Sequence, residues 1–105
     1  MRTTADTPIR AVVIGGGAIG ASVVTALLRG DVPDVVPIAV VDPQPVGDLG
    51  VPQLRLEAAL DQADVVVECA GQAVIAQSAV GILERGIDLL ITSVGALADP
   101  DLAAA

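Results

Sequence analysis

The sequence of 105 residues contains no phenylalanine, tyrosine or tryptophan, and no histidine. Its core must therefore be filled by valine, leucine, isoleucine and alanine, which can still pack to native density. No aromatic ring is available to stack on an adenine or a nucleobase, and no imidazole is available as a general base. The single cysteine, Cys69, excludes an internal disulfide and predicts a protein of the reducing cytoplasm.

Positive charge is scarce, since five arginines and no lysine stand against 13 acidic residues and the net charge is −8. Nucleic acid would be repelled by this charge, so we expect no nucleic-acid partner. The uncharged run between Arg10 and Arg29 approaches the length of a membrane span. Four glycines within that run, three of them consecutive, disfavour a helix, and we expect no membrane segment.

The chain is organised around Val12–Gly20, VVIGGGAIG, which contains the pattern G-x-G-x-x-G. An apolar run precedes the glycines and an uncharged, helix-compatible run follows them, which is the context of a dinucleotide-binding fingerprint. In such a motif Gly15 makes the tight turn, Gly17 lets the backbone approach a pyrophosphate, and Gly20 lets the helix pack closely on the strand. The phosphates would lie at the helix N-terminus. The alternative is a tight turn without a ligand.

Strands and helices are predicted to alternate after a polar, loose arm at residues 1–8. The apolar residues of the strands are continuous, which is typical of a parallel sheet buried on both faces. We predict strands at 9–14, 36–41, 64–70 and 88–94, a short edge strand at 52–54, helices at 18–29, 55–62 and 73–85, and a further helix beginning at Asp99. Residues 9–105 are therefore predicted to form one Rossmann-like α/β domain, a doubly wound parallel sheet in three α/β/α layers.

Asp42 ends the second predicted strand. In dinucleotide-binding domains, an acidic residue at about this distance from the last glycine of the motif binds the adenosine ribose hydroxyls. The alternative role for Asp42 is to start a turn with Pro43. A carboxylate there repels a 2′-phosphate, and no arginine lies near it in sequence. We expect NAD to be preferred, with NADP as a second candidate, and Arg55 would oppose that preference if the short loop brought it across.

Glu68 lies near the carboxyl end of the third predicted strand, DVVVECA. A carboxylate in so apolar a strand must be paired, hydrogen-bonded or close to the strand mouth. Pairing with the hydroxyl of Thr92 or Ser93 and contact with a cofactor are equally supported. Cys69 is predicted to be a small buried hydrophobe, and no Cys–His pair can form. Glu68 is thus the one candidate base, and we assign no catalytic and no metal-binding residue.

Four segments resemble, in order, the nucleotide-binding half of L-aspartate dehydrogenases, which are related to the NAD-binding domain of homoserine dehydrogenases. The segments are VVIGGGAIG, AVVD, DVVVECAGQAV and LLITSVGALAD. The resemblance covers residues 9–100, and its most specific part is the SVGAL loop at 93–97. It implies oxidation of the amine of L-aspartate by NAD(P) to give iminoaspartate, in an enzyme whose full-length form is a homo-oligomer.

The same resemblance implies the roles of individual residues. Gly15, Gly17, Ala18 and Ile19 would line the phosphates and Asp42 the ribose. The nicotinamide side would be lined by two groups, namely Ala70, Gly71 and Gln72, and Ser93, Val94, Gly95 and Ala96.

Two departures from the family bear on function. The second domain, which carries the substrate contacts and a catalytic histidine, has no counterpart here, and the segment after the second strand is shortened. We therefore expect the chain to bind a dinucleotide without catalysis, with a catalytic domain on a missing segment or on another chain. The alternatives are a regulatory, nucleotide-sensing Rossmann module, the NAD-binding part of a homoserine dehydrogenase-like enzyme, and a structural domain that has lost its ligand.

Overall fold

The computed structural model describes residues 7–92, with the side chains of all of these except residues 72–77. Strands and helices alternate along this part of the chain as the sequence predicts. The elements are β1 (Ile9–Ile14), α1 (Ala18–Leu28), β2 (Val35–Val41), α2 (Leu56–Leu60), β3 (Val65–Glu68), α3 (Gln72–Glu84) and β4 (Asp88–Ile91).

The four strands form one parallel sheet in the order β2-β1-β3-β4. The central strand β1 therefore has a neighbour on each side, and its last residue, Ile14, lies opposite Val41 of β2 and Glu68 of β3. Because parallel strands point the same way, the segments that follow β1, β2 and β3 emerge side by side at one edge of the sheet. The predicted Rossmann-like fold is confirmed, and the carboxyl edge is where open α/β sheets of this kind bind their ligands.

The predicted edge strand at 52–54 is reduced to a single parallel bridge, in which Gln53 pairs with Val40 of β2. Two hydrogen bonds hold it, from the Val40 N–H to the Pro52 carbonyl and from the Leu54 N–H to the Val40 carbonyl, both 2.9 Å. A proline has no N–H to donate to a ladder, which limits how far this pairing can extend.

Both faces of the sheet are covered, because alternate residues of each strand point to opposite sides. On one face, Val13 and Val67 pack with Val24 of α1. The other face carries the larger cluster, in which strand residues pack with residues of α2 and α3: Val12, Ile14, Ala39, Val66, Ala59, Leu60 and Ile82, together with Ile87. The core is therefore built from aliphatic side chains, as the composition requires.

The element bounds differ from the predicted ones by one or two residues at most termini. Strand β3 ends at Glu68 because the Glu68 carboxylate takes the next two free N–H groups, of Ala70 and Gly71, away from any ladder. Helix α2 ends at Leu60. Residues 1–6 of the predicted arm, the end of the predicted fourth strand and the predicted helix at Asp99 lie outside the described residues. Within residues 7–92, no helix is long and apolar enough to cross a membrane.

Candidate functional site

Three turns adjoin at the carboxyl edge of the sheet. The Gly15 N–H donates to the Val41 carbonyl at 2.7 Å, and the Cys69 N–H donates to the Ile14 carbonyl at 2.7 Å. These bonds continue the strand pairing beyond the ends of the strands, so the glycine turn after β1 is held between the segments that follow β2 and β3. The structure thus brings the predicted phosphate, ribose and nicotinamide residues of the described region to one crevice.

Two of the fingerprint glycines are required by packing within the protein. Gly15 has φ +99°, and a Cβ there would lie 2.8 Å from the Cα of Ala70. A Cβ on Gly20 would overlap the carbonyl oxygen of Gly15, while Val13 of β1 lies 3.5 Å away. The tight contact of α1 is therefore with the glycine turn itself, and its contact with the strand is an ordinary one.

Gly17, in contrast, is not required by any contact of the described chain. It is the N-cap of α1 with φ −74°, a value open to any residue, and a Cβ there would meet nothing within 4 Å. No described side chain caps this helix, and its first turn contains no acidic residue. The N–H groups of Ala18 and Ile19, both exposed, are therefore free to bind an anion.

Asp42, half-buried after β2, is bonded to the glycine turn. Its Oδ2 accepts from the Gly16 N–H at 2.8 Å and its Oδ1 accepts from the Gln44 N–H at 2.8 Å. The turn that the sequence offered as an alternative is therefore present, together with a bond to the glycine turn. A carboxylate accepts about four hydrogen bonds, so acceptor capacity remains for two ribose hydroxyls.

Gln53 holds the loop that follows Asp42, a role that sequence reasoning missed. Its Nε2 donates to the carbonyls of Asp42 at 3.0 Å and Gln44 at 2.8 Å, and its Oε1 accepts from the Val46 N–H at 3.3 Å. The loop thereby lays Val46 over Gly16, where an added Cβ would overlap the valine side chain. A glutamine placed in this way after an aspartate matches no motif. The one signal in the sequence is that the connection after β2 is too short for a helix, so side chains must hold its conformation.

A cavity of about 420 Å³ opens beside Asp42 and places Arg55 next to it. Its lining consists of Val41, Asp42, Pro43, Gln53, Leu54 and Arg55. A larger cavity, about 640 Å³, lies at the amino ends of the strands and includes none of the predicted site residues. Its position opposite the crevice separates it from the candidate site.

Glu68 is fully buried and fixes the turn after β3. Its Oε2 accepts from the N–H groups of Ala70 at 2.7 Å and Gly71 at 2.6 Å, and Gly71 has φ +127°. The Thr92 hydroxyl, one of the two partners that the sequence offered as an alternative, donates to the Glu68 backbone carbonyl at 2.6 Å; the other, Ser93, lies outside the described residues. Because the carboxylate uses both N–H groups, this turn can offer a ligand its carbonyl oxygens. Gln72 begins α3 directly after it.

The predicted residues of the SVGAL loop, Ser93, Val94, Gly95 and Ala96, lie outside the described residues. Of the residues predicted to line the nicotinamide, the structure therefore describes those at 70–72 alone.

Cys69 is half-buried beside the cluster of Val13, Val24 and Val67. Burial raises the pKa of the Cys69 thiol, and the negative charge of Glu68 raises it further, while a hydrogen bond with Thr92 lowers it in part. The net shift is upward, so the group is a neutral thiol at physiological pH, as expected of a small hydrophobe.

We expect iodoacetamide to alkylate Cys69 with a pH–rate midpoint above that of the same chain in denaturant, because the thiolate is the reacting form. The rate is measured by mass spectrometry across the alkaline range, and the single cysteine makes the product unambiguous. The denatured chain is the control. A folded-state midpoint at or below the denatured one would contradict the effect of burial.

Comparison with known proteins agrees with this geometry. The family model for the NAD-binding domain of homoserine dehydrogenases matches residues 15–105. The chain is 43% identical over 104 residues to the L-aspartate dehydrogenase of Polaromonas sp., a match that covers 90% of this chain and 39% of the relative. It is 42% identical over 99 residues to L-aspartate dehydrogenase 1 of Bordetella pertussis, covering 92% and 38% respectively. The chain thus spans about two fifths of the length of these curated relatives.

Solved structures show the same fold. GenD2 from gentamicin A biosynthesis, in complex with NAD, superposes with a TM-score of 0.74 at 27% identity, over 97% of this chain and 32% of that one. An engineered D-amino acid dehydrogenase bound to NADP+ superposes with a TM-score of 0.72 at 22% identity, over 91% and 30%. The second likeness concerns the fold alone.

Proposed function

Because this chain belongs to the family of homoserine dehydrogenase NAD-binding domains, we propose that it supplies the cofactor-binding part of a dehydrogenase that oxidises the amine of L-aspartate. The family model describes an NAD-binding domain, and solved structures with this fold hold NAD or NADP+. The choice of L-aspartate is supported by relatives named L-aspartate dehydrogenase that are about 40% identical to most of this chain.

The observation that carries the proposal is the open space at Gly17. Gly15 and Gly20 are accounted for by contacts within the protein, whereas nothing in the described part of the chain lies within 4 Å of a Cβ at Gly17. A glycine that the protein's own packing does not need, at an exposed helix N-terminus without an acidic neighbour, fits close approach by a phosphate. The residues present therefore fit the group that the family binds.

Each group in the crevice has a proposed role. The glycine turn, with Ala18 and Ile19, binds the pyrophosphate through backbone N–H groups, and Asp42 accepts hydrogen bonds from the ribose. The turn of Ala70, Gly71 and Gln72, held by Glu68, orients the nicotinamide, and we assign residues 93–96 to the same side. The nicotinamide, when bound, supplies the hydride acceptor. The chain's own contribution is to bind and orient the cofactor.

Residues 9–105 are proposed to form one cofactor-binding domain, preceded by the arm 1–8. The substrate contacts and the base are proposed to come from a catalytic domain outside residues 1–105. The sequence has no histidine, lysine or tyrosine. Of the described residues, Glu68 is the buried carboxylate near the nicotinamide side, and it already accepts two backbone hydrogen bonds. A single carboxylate would also repel a dicarboxylic substrate.

We expect the 105-residue chain to bind NADH and to form no NADH from NAD and L-aspartate. Binding is measured by calorimetry and by nicotinamide fluorescence. The protein has no tryptophan whose emission would interfere with the fluorescence. Turnover is followed by the absorbance of reduced nicotinamide against a buffer blank. Failure to bind NADH would refute the proposed site. Turnover above the blank that Glu68→Gln abolishes would place the catalytic group within this chain.

A further inference from the structure

We infer that Arg55 is a specificity-determining residue, which receives the 2′-phosphate of NADP beside Asp42 and so sets how well NADP binds relative to NAD. This inference rests on the proposed function and refines its adenosine side. It depends on three observations, which are the register of the single bridge beyond β2, the cavity that the two residues share, and the absence of an ion-pair partner for Arg55 in the described region.

The register of the bridge places Arg55 level with Asp42. Val40 pairs in parallel with Gln53, so two further residues along each segment lead to Asp42 on one and Arg55 on the other. The Leu54 N–H donates to the Val40 carbonyl at 2.9 Å, which holds the backbone next to Arg55 against β2. Asp42 and Arg55 are therefore close in space, although they are distant in sequence, because the bridge aligns the two segments.

The Arg55 guanidinium is available to a ligand as far as the described residues determine. Four arginines lie in residues 7–92, and three of them pair with aspartates: Arg10 with Asp64 at 3.3 Å, Arg29 with Asp31 at 2.7 Å, and Arg85 with Asp61 at 2.5 Å. Arg55 makes no ion pair within that part of the chain, and it is exposed at the cavity of about 420 Å³ that Asp42 also lines.

Asp42 and Arg55 together suit both the unmodified ribose of NAD and the 2′-phosphorylated ribose of NADP. The carboxylate of Asp42 accepts from the hydroxyls of an unmodified ribose, as the sequence predicts, and it repels a phosphate. The guanidinium of Arg55 matches a phosphate through two parallel N–H···O bonds and offsets that repulsion. In a protein of net charge −8, a cation at this position is the feature that makes a phosphate acceptable there.

The test compares dissociation constants for NAD and NADP by calorimetry in the wild type, in Arg55→Gln and in Arg29→Gln. Arg29→Gln is the matched control, because it removes the same charge from an exposed arginine at the far end of α1. We expect Arg55→Gln to weaken NADP binding by about tenfold to a hundredfold and to change NAD binding by less than about twofold. Arg55→Lys should restore part of the NADP affinity, since the charge returns without the planar fork.

The fragments 2′,5′-ADP and 5′-AMP locate the effect, because they differ in the 2′-phosphate alone. The loss in Arg55→Gln should appear with 2′,5′-ADP and not with 5′-AMP, and raised salt should weaken 2′,5′-ADP binding to the wild type more than to Arg55→Gln. Unchanged NADP affinity in Arg55→Gln, equal losses for both dinucleotides, or a wild type that binds NAD alone would each overturn the inference. A wild type that binds neither dinucleotide would refute the proposed function itself, and the inference with it.

Discussion

Replacing Gly17 with glutamate should abolish dinucleotide binding while leaving the fold intact. The φ of −74° suits any residue, and a Cβ there meets nothing within 4 Å among the described residues, which leaves room for the new side chain. The same space is where a pyrophosphate would approach the backbone. Two like charges about 4 Å apart at an effective dielectric of about 20 repel by roughly 4 kcal/mol, so we expect affinity to fall more than about a hundredfold.

Gly81→Glu is the matched control for this experiment. Gly81 lies in α3, is exposed, and has open space at its Cβ position, as Gly17 has. The control therefore adds the same side chain and the same charge away from the crevice. Calorimetry with NADH measures binding, and circular dichroism checks that each variant is folded. Wild-type NADH affinity in folded Gly17→Glu would refute the phosphate site, and an equal loss in Gly81→Glu would indicate a general effect of charge.

Gly20→Ala should destabilise the fold severely, although alanine is the better helix former. A Cβ at Gly20 would overlap the carbonyl oxygen of Gly15 and lie 2.8 Å from its carbonyl carbon. Both are backbone atoms of the tight turn between β1 and α1, so the helix must move away from the sheet to relieve the overlap. Overpacking of a well-packed site costs about 1–3 kcal/mol, and backbone overlap puts this site at or above about 3 kcal/mol.

Gly81→Ala is expected to change the stability of the same protein in the opposite direction. It too is a helical glycine, but its Cβ position is open, so the gain in helix propensity is expected to raise the free energy of unfolding by about 1 kcal/mol. Urea denaturation followed by circular dichroism measures both variants, since the chain has no tryptophan to report unfolding. A Gly20→Ala variant as stable as the wild type would show that the glycine turn adapts without cost.

Local pattern was enough to predict much of the fold. Continuous valine and isoleucine runs mark buried parallel strands, and the glycines at 15, 17 and 20 mark the turn between the first strand and the first helix. Each of these features is encoded by residues adjacent in sequence. Consequently the element order, the parallel sheet and the glycine turn followed from the sequence, and the bounds of the elements shifted by one or two residues at most termini.

The hydrogen-bond partners of the polar side chains were not predictable in the same way. Glu68 was recognised as an unusual buried carboxylate, but its partners, the N–H groups of Ala70 and Gly71, depend on how the chain turns after β3. Asp42 was recognised by its spacing, whereas its bond to Gly16 depends on the pairing of β1 with β2. The packing of neighbouring elements selects among several partners that sequence alone allows.

The sequence by itself determined the composition of the core, the alternation of strands and helices and the position of the glycine turn, because short-range geometry and periodicity encode all three. Tertiary structure decided which residues surround Asp42. Gln53 carries no local signal, and whether the loop brings Arg55 across depends on the fold; both reach Asp42 through one parallel bridge at Val40 and the loop it closes. A bridge between segments that are not adjacent in sequence depends on the packing of the whole sheet edge, and no periodicity in the sequence records it.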